Sequence, residues 1–361
     1  MIQGIHSQLI PNCDSLDSSC CGGVQQVVLS NSVSSIVNNP SDPWKCDNIE
    51  SIIIPSTCTF IGDYAFVNWP SLSTVVIPTS VTILGQQSFQ ASGIKTLTIP
   101  GSIKEIKGSL CYGCWKLVNL TLEHGVEIIG DSAFYSNIEL TNVKLPPTIT
   151  KIDISAFETC NKLININLPS SIEFIGRNAF SATNLSSVEI PTKVTSLDIG
   201  TFSGCRNLKS VKMNTGLISI GFGAFQMCNS IKYLEIPDSL TSIGAYAFYG
   251  VNSLQCIYYD SSIVRPAVTS NLPTIEYCST TSPTSLPTTT SKPKPKPSPK
   301  PSPKPSPSPK PSQKKKRDTY KPTRTTHSPS RKPTGKYTHS PSRRPTTTQV
   351  ISPVIVPTLS P

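Results

Sequence analysis

Residues 51–72 read SIIIPSTCTFIGDYAFVNWPSL, and residues 74–94 repeat the pattern as TVVIPTSVTILGQQSFQASGI. Three apolar residues end in proline, a second apolar pair and a glycine follow, and then comes Ala-Phe or Ser-Phe. Working outward in both directions, the same order returns until Tyr258. The proline falls at Pro55, Pro78, Pro100, Pro146, Pro169, Pro191 and Pro237, with Glu123 and Asn214 filling the two gaps. Eleven residues after each anchor stands Phe66, Phe89, Phe134, Phe157, Phe180, Phe202, Phe225 or Phe248, with Cys111 as the one substitute. The steps are always 22 or 23 residues. A degraded tenth copy precedes them, beginning at Val28-Leu29-Ser30-Asn31-Ser32-Val33 and ending at Cys46.

A fixed period of this size, rich in Leu and Ile, is the signature of a leucine-rich-repeat solenoid, in which each copy buries its apolar side chains only against its neighbours. The unit LxxIxIPxSVTxIGxxAFxxCxxL also resembles the BspA-like (Treponema-type) leucine-rich repeat, over residues 24 to about 260. That family is known from bacterial surface antigens and protozoan surface proteins. The resemblance implies a surface-displayed or secreted binding or adhesion scaffold rather than an enzyme, with protein or glycan ligands of host or matrix type. It carries over no catalytic residue.

Spacing assigns the role of each position. The triplets Ile52-Ile53-Ile54, Val75-Val76-Ile77 and Val188-Glu189-Ile190 are short strands whose outer two residues face inward and whose middle residue faces out. Proline ends the strand because it has no amide to donate. Gly62, Gly85, Gly130, Gly176, Gly221 and Gly244 suggest sharp bends at positive φ. Ala-Phe should then fill the inside of a one- or two-turn helix or a turn on the convex side, opposite a concave parallel sheet. The expected fold is therefore α/β in the repeat sense, mostly β, with about ten repeats.

Composition divides the chain into three parts: an amino-terminal cap over residues 1–23, the array with a carboxy-terminal cap over 24–278, and a tail over 279–361. Residues 281–361 hold 17 of the 32 Lys and Arg against the single acid Asp318, a net +16; the rest carries 15 basic and 20 acidic residues, a net −5. Only the tail can bind anions by charge alone. It alternates proline with Lys and Ser (KPKPKPSPKPSPKPSPSPKP), which blocks helix and sheet and leaves nothing apolar to bury, so a disordered, extended spacer is expected. The run Lys314-Lys315-Lys316-Arg317 and the duplicated THSPSR at 326–331 and 338–343 leave three readings open. They are a solvated stalk, docking on an acidic surface or nucleic acid, and modification of the Ser/Thr-Pro sites. Neither a secretory leader, a membrane span nor a lipidation box is recognisable.

Of twelve cysteines, Cys46, Cys114, Cys160, Cys205 and Cys228 share one repeat position, while Cys58 stands in a valine slot and Cys111 in the phenylalanine slot. All seven read as small buried hydrophobes. The Cys111/Cys114 pair lacks the second CxxC or the histidines of a zinc site, so no metal and no cofactor is expected. Cys13, Cys20, Cys21, Cys256 and Cys278 lie at the ends, and Cys256 with Cys278 is the expected disulfide, given an oxidising compartment.

The outward strand positions form the expected ligand face: Thr98, Thr121, Lys144, Asn167, Glu189, Lys212, Glu235 and Tyr258 in one row, preceded by the apolar Ile53 and Val76. A second row, from Ser51 through Asn119, Asn142 and Asn165 to Tyr233, is nearly all Ser, Thr and Asn. It reads either as a ladder solvating the sheet or as a polar contact surface. Tyr233, Tyr258, Trp69 and Trp115 are aromatic anchors for such a surface. Asn119 and Asn184 head the two N-glycosylation sequons. The histidines are scattered, and no phosphate loop, HExxH or GxSxG occurs, so an enzyme with a small-molecule substrate is not expected. Against the surface protein stands one rival, an intracellular scaffold whose basic tail docks on nucleic acid or an acidic partner.

Overall fold

The computed structural model describes residues 24–37 and 47–259, together with the backbone of 9–13. The chain divides into two units, Met1–Thr289 and Thr290–Pro361, and every described residue lies in the first. The expected boundary at 278/279 and the tail itself lie outside the described residues.

Each rung has three walls. The main sheet is parallel and joins Leu9–Cys13, Gln26–Leu29, Ser51–Ile53, Thr74–Val76, Thr96–Ile99, Asn119–Leu122 and Asn142–Lys144 in that order. Its register shifts between Pro11 and Cys13 in the first pair and is then kept from rung to rung, as where Leu120 pairs with Leu97 and with Val143. Within each strand the alternation is as expected. Val75 is buried, Val76 exposed and Ile77 buried, and Val188, Glu189 and Ile190 follow suit. A minor sheet of two-residue strands forms the second wall, for example Glu105–Ile106, Ile128–Ile129, Lys151–Ile152 and Phe174–Ile175. Its second residue is buried each time, which places the Ile/Leu row behind the main sheet.

The third wall departs from expectation, since among the described residues it contains no helix. Two residues per rung take left-handed conformations, such as Ser132 and Ser136 around Phe134, or Ser155 and Thr159 around Phe157. These interrupt any right-handed run. The backbone donates to the next rung instead of to itself: Phe134 N–H to Ala156 O at 2.9 Å, Phe157 to Ala179 at 2.8 Å and Phe180 to Thr201 at 2.9 Å. A helix is about 10 Å across, whereas rungs paired in a sheet repeat at ~4.8 Å. A wall of stacked turns matches the sheet spacing, and a wall of helices would have to fan out.

The rung glycines also differ from expectation. Gly62, Gly85, Gly130, Gly176, Gly221 and Gly244 do not sit at positive φ. A Cβ on Gly130 would lie 2.5 Å from Ile106 O, and one on Gly244 2.5 Å from Phe222 N. They permit close backbone approach between rungs, while the positive-φ positions carry mostly Ser, Asn, Gln, Ala and Tyr, with glycine at some.

The core is one continuous cluster along the array. At its centre the phenylalanine rings stack, with centroids 5.5 Å apart for Phe134–Phe157, 5.6 Å for Phe157–Phe180 and 5.5 Å for Phe180–Phe202. Beside this column runs the row occupied by Trp69, Ser92, Cys114, Asn137, Cys160, Thr183, Cys205 and Cys228. Cys160, Cys205 and Cys228 donate S–H to the carbonyls of Phe134, Phe180 and Phe202, each at 3.2 Å.

The main sheet has a seam. Residues 165–168 occupy a strand position, yet they make no backbone hydrogen bonds to another backbone group and belong to no strand. Pairing resumes with Ser187–Glu189 against Ser210–Lys212 and, after a second interruption, with Tyr233–Ile236 against Cys256–Tyr259. Around the seam Val143, Leu145, Ile166 and Leu168 are only partly buried, where their equivalents elsewhere are almost all enclosed. The minor sheet pairs up to Phe174–Ile175 in this same rung and stops there, short of Ser196–Leu197, so it is the turn wall that bonds this rung to the next, Asn178 N–H to Ile199 O and Phe180 N–H to Thr201 O, both at 2.9 Å, and the core stays continuous. Local opening requires broken backbone pairing and exposed apolar contacts, and the seam has both in advance. Amides of 165–168 are therefore expected to exchange with solvent at least tenfold faster than those of Asn119–Leu122, as hydrogen exchange read by NMR or mass spectrometry would reveal. Equal protection of the two segments would mean that the seam is paired in solution.

Candidate recognition face

The outward strand positions lie on three successive parallel sheets, those of Gln26–Leu29 to Asn142–Lys144, of Ser187–Glu189 with Ser210–Lys212, and of Tyr233–Ile236 with Cys256–Tyr259. Val28, Ile53 and Val76 lie in register across three strands. Ile53 is 45% and Val76 66% exposed, although neither solubility nor packing asks for an apolar side chain there. Thr98, Thr121 and Lys144 continue the row, paired in sequence. Asn167 follows within the seam itself. Glu189 and Lys212 are paired in register and form an ion pair. Both are strongly exposed, so the pair contributes little stability. Glu235 pairs in register with Tyr258. Among the described residues Lys144 and Glu235 form no ion pair, which leaves two exposed charges of opposite sign at different heights on the face.

The second row resolves into the ladder reading at its centre. Asn142 Nδ2 donates to Asn119 Oδ1 at 2.8 Å, and Asn119 Nδ2 faces Thr96 Oγ1 at 3.4 Å. The sequon asparagine Asn119 thus sits in a strand with both ends of its carboxamide engaged. Asn184 lies outside the strands and accepts from Asn207 Nδ2 at 2.7 Å. At the far end Tyr233 is 45% exposed, with its ring 6.3 Å from that of Tyr258 at a tilt of 50°. Of the other anchors expected, Trp115 is exposed but Trp69 is not. Trp69 is buried at the start of the cysteine row, edge-on to Phe66 at 5.2 Å, because its slot faces the core in every rung.

Two features of the turn wall were not anticipated. Phe222, Tyr246 and Tyr249 are exposed, and Tyr246 makes edge-to-face contact with Phe222 at 5.4 Å and with Tyr249 at 5.6 Å; Tyr112 stacks on Tyr135 at 4.7 Å. Aromatics two or three residues before the core phenylalanine, or one after it, where other rungs carry mostly polar residues or glycine, were the available signal.

The cysteine expectations divide. Cys58, Cys160, Cys205 and Cys228 are free and buried. Burial pushes the Cys160 thiol up to about 12 and the Cys205 thiol to about 11. Cys111 and Cys114 are buried too, but they are joined in a disulfide with their Cα atoms 5.5 Å apart, which corrects their reading as inert hydrophobes. A cysteine in the phenylalanine slot brings its sulfur into reach of the neighbouring slot, and the intervening Tyr112-Gly113 turn supplies the required approach. Cys256 is disulfide-bonded. Cys278, its expected partner, lies outside the described residues, as do Cys20, Cys21 and Cys46. No cluster of metal-ligating side chains occurs among the described residues.

A family model for the BspA type leucine-rich repeat region matches residues 18–140 and 127–255. The chain belongs to this family. Solved structures of similar architecture include a leucine-rich repeat protein from Bacteroides ovatus, 20% identical over 71% of this chain and 88% of that one, with a TM-score of 0.49. A leucine rich cell surface protein from Faecalibacterium prausnitzii is 21% identical over 71% and 84%, with a TM-score of 0.41. The leucine-rich repeat protein of T. pallidum is 23% identical over 64% and 84%, with a TM-score of 0.39. No curated protein matches the chain. Among the described residues no helix is long and apolar enough to cross a membrane.

Proposed function

We propose that this BspA-type repeat protein is a non-enzymatic binding or adhesion protein of the cell surface or its surroundings, recognising protein or glycan through the outward face of the main sheet. The observation that carries this reading is the change of character along that face. The inward positions are uniformly apolar, whereas the outward ones run from Ile53 and Val76, through Thr98 and Thr121, to Lys144, Glu189, Lys212 and Glu235, and end at Tyr233 and Tyr258. A purely structural surface would repeat one residue type per row, and a contact surface varies with what it meets. The Cys111–Cys114 disulfide accords with an oxidising compartment. The basic tail acts as a stalk that also adheres to acidic polymers or lipid head groups.

The two binding modes separate by salt. With a net +16 the tail binds by releasing counterions, so its affinity falls steeply as salt rises. The mixed face loses little over the same range. Binding of the full chain and of a chain ending at residue 278 to intact cells or matrix, at low and at several hundred millimolar salt, decides between them. The shortened chain is expected to retain salt-resistant binding. If it binds nothing while the isolated tail reproduces all binding and loses it in salt, the array is a spacer or intracellular platform and the tail is the functional element.

A further inference from the structure

We propose that Cys111 and Cys114 form a reversible disulfide–dithiol site in the turn wall, exchanging with small thiols, with a place prepared in the core for the reduced state as well as the oxidised one. Cys114 occupies the same slot as Cys160, Cys205 and Cys228, each of which donates its S–H to the carbonyl of the preceding phenylalanine at 3.2 Å. Cys114 Sγ lies 3.1 Å from Phe89 O and 3.6 Å from Ser92 Oγ. A disulfide sulfur has no proton to donate, so in the oxidised state the first of these is a bare contact. Reduction supplies the missing proton and completes the bond that the three sister cysteines already make. The backbone at Cys111 is also held from the next rung. Asn137 is pinned by Nδ2 to Cys111 O at 3.1 Å and Phe134 O at 2.7 Å, while its buried Oδ1 has no partner.

The rung does not depend on the disulfide for its shape. Cys111 N–H donates to Ala133 O and Gly113 N–H to Tyr135 O, both at 2.8 Å, as their equivalents do in other rungs. Cys111 interrupts the column of rings between Phe89 and Phe134, so no aromatic packing is lost when the sulfurs part. On the solvent side Gly113 has nothing within 4 Å of where a Cβ would be, and the exposed Tyr112 and Trp115 flank it. This turn is the route by which a thiol reaches the pair after a local opening.

The exchange is a balanced two-electron step. A thiolate attacks one sulfur, the Cys–Cys bond breaks, a mixed disulfide forms, and the other cysteine leaves as a thiolate and takes a proton. A second thiol then displaces the first cysteine, which is protonated in turn, and the two small thiols depart as their disulfide.

The test uses the full chain equilibrated in mixtures of reduced and oxidised dithiothreitol under native conditions. It is then acid-quenched, alkylated in denaturant and digested with trypsin, which releases both cysteines in the one peptide spanning residues 108–116. The expected result is a reversible passage from neither cysteine labelled to both labelled, with unchanged far-UV dichroism, retained cooperative unfolding and a shift in Trp115 emission. Cys111→Phe, which restores the ring found in the other rungs, should fold and lose the emission shift. Should it fail to fold, Cys111→Ala serves the same purpose without adding volume. A pair that resists reduction until the array is denatured, that is already a dithiol in the oxidising mixture, or whose reduction abolishes cooperative unfolding overturns the proposal.

Discussion

Replacing Phe157 by alanine is expected to lower the stability of the array by about 3–5 kcal/mol, the usual cost of leaving a large cavity in a closed core. Phe157 is fully enclosed and stacked on both faces, 5.5 Å from Phe134 and 5.6 Å from Phe180. Neither neighbour can move into the space, because each is itself held by the backbone bonds of its rung to the next. Phe248→Ala is expected to cost less. Its one stacking partner in the column is Phe225, at 5.4 Å, and it belongs to the last described turn wall. Chemical denaturation of the two variants beside the parent protein measures both losses. Equal, small losses would mean that the rings do not form a load-sharing column.

The second large effect is alkaline unfolding. The thiols of Cys160 and Cys205 are raised by burial from an ordinary 9.0 to about 12 and about 11, and those of Cys228 and Cys58 are raised as well. The unfolded chain therefore releases these protons first. Below pH 9 all the thiols are protonated in both states and the native advantage is intact. As pH rises from 9 towards 11 the unfolded state gains by ionising while the folded state cannot, at about 1.4 kcal/mol per pH unit for each such thiol. With several thiols titrating together the loss reaches several kcal/mol, so the melting temperature should fall steeply over this window. A variant with Cys160, Cys205 and Cys228 all changed to alanine starts somewhat less stable, because three methyl-sized cavities are left, but it should show a markedly shallower decline. Other groups, Tyr135 among them, titrate alike in both proteins, so the difference between the two slopes isolates the thiols. Parallel slopes would show that these cysteines are not closed off from solvent in the folded array.

Both predictions rest on positions that were legible in the sequence. The 22- or 23-residue step placed Phe157 and Phe248 in one column, and the shared distance to the proline anchor placed Cys160, Cys205 and Cys228 in one row. A solenoid allows this because every rung meets the same neighbours, so a position's surroundings are copies of itself. Inward and outward strand residues followed from the period of two, and the outward row from Ile53 to Tyr258 came with them.

What the local pattern could not decide were relations between rungs. The Ala-Phe stretch has no length or capping signal that separates a short helix from paired left-handed turns. The choice falls to the turns because backbone donors such as Phe157 N–H find acceptors one rung away, a partner invisible within the repeat. The rung glycines looked like bends, but they answer to the close approach of the neighbouring backbone, as at Gly130 and Ile106 O. Trp69 read as an aromatic anchor of the contact surface and is core, since the cysteine slot it occupies faces inward whatever fills it. Cys111 and Cys114 were each placed correctly in their own slots, but their bond required knowing that the missing phenylalanine ring leaves the two sulfurs side by side. The seam at 165–168 has no mark in the strand residues themselves, since Asn165, Ile166, Asn167 and Leu168 keep the strand pattern; the one nearby irregularity is the 22-residue step from Pro169 to Pro191. The sequence by itself thus determined the rung, its register and its inner and outer faces, because these depend on side-chain type at a fixed spacing. The stacking of one rung on the next decided the wall of turns and the disulfide, because those depend on distances between backbones far apart along the chain.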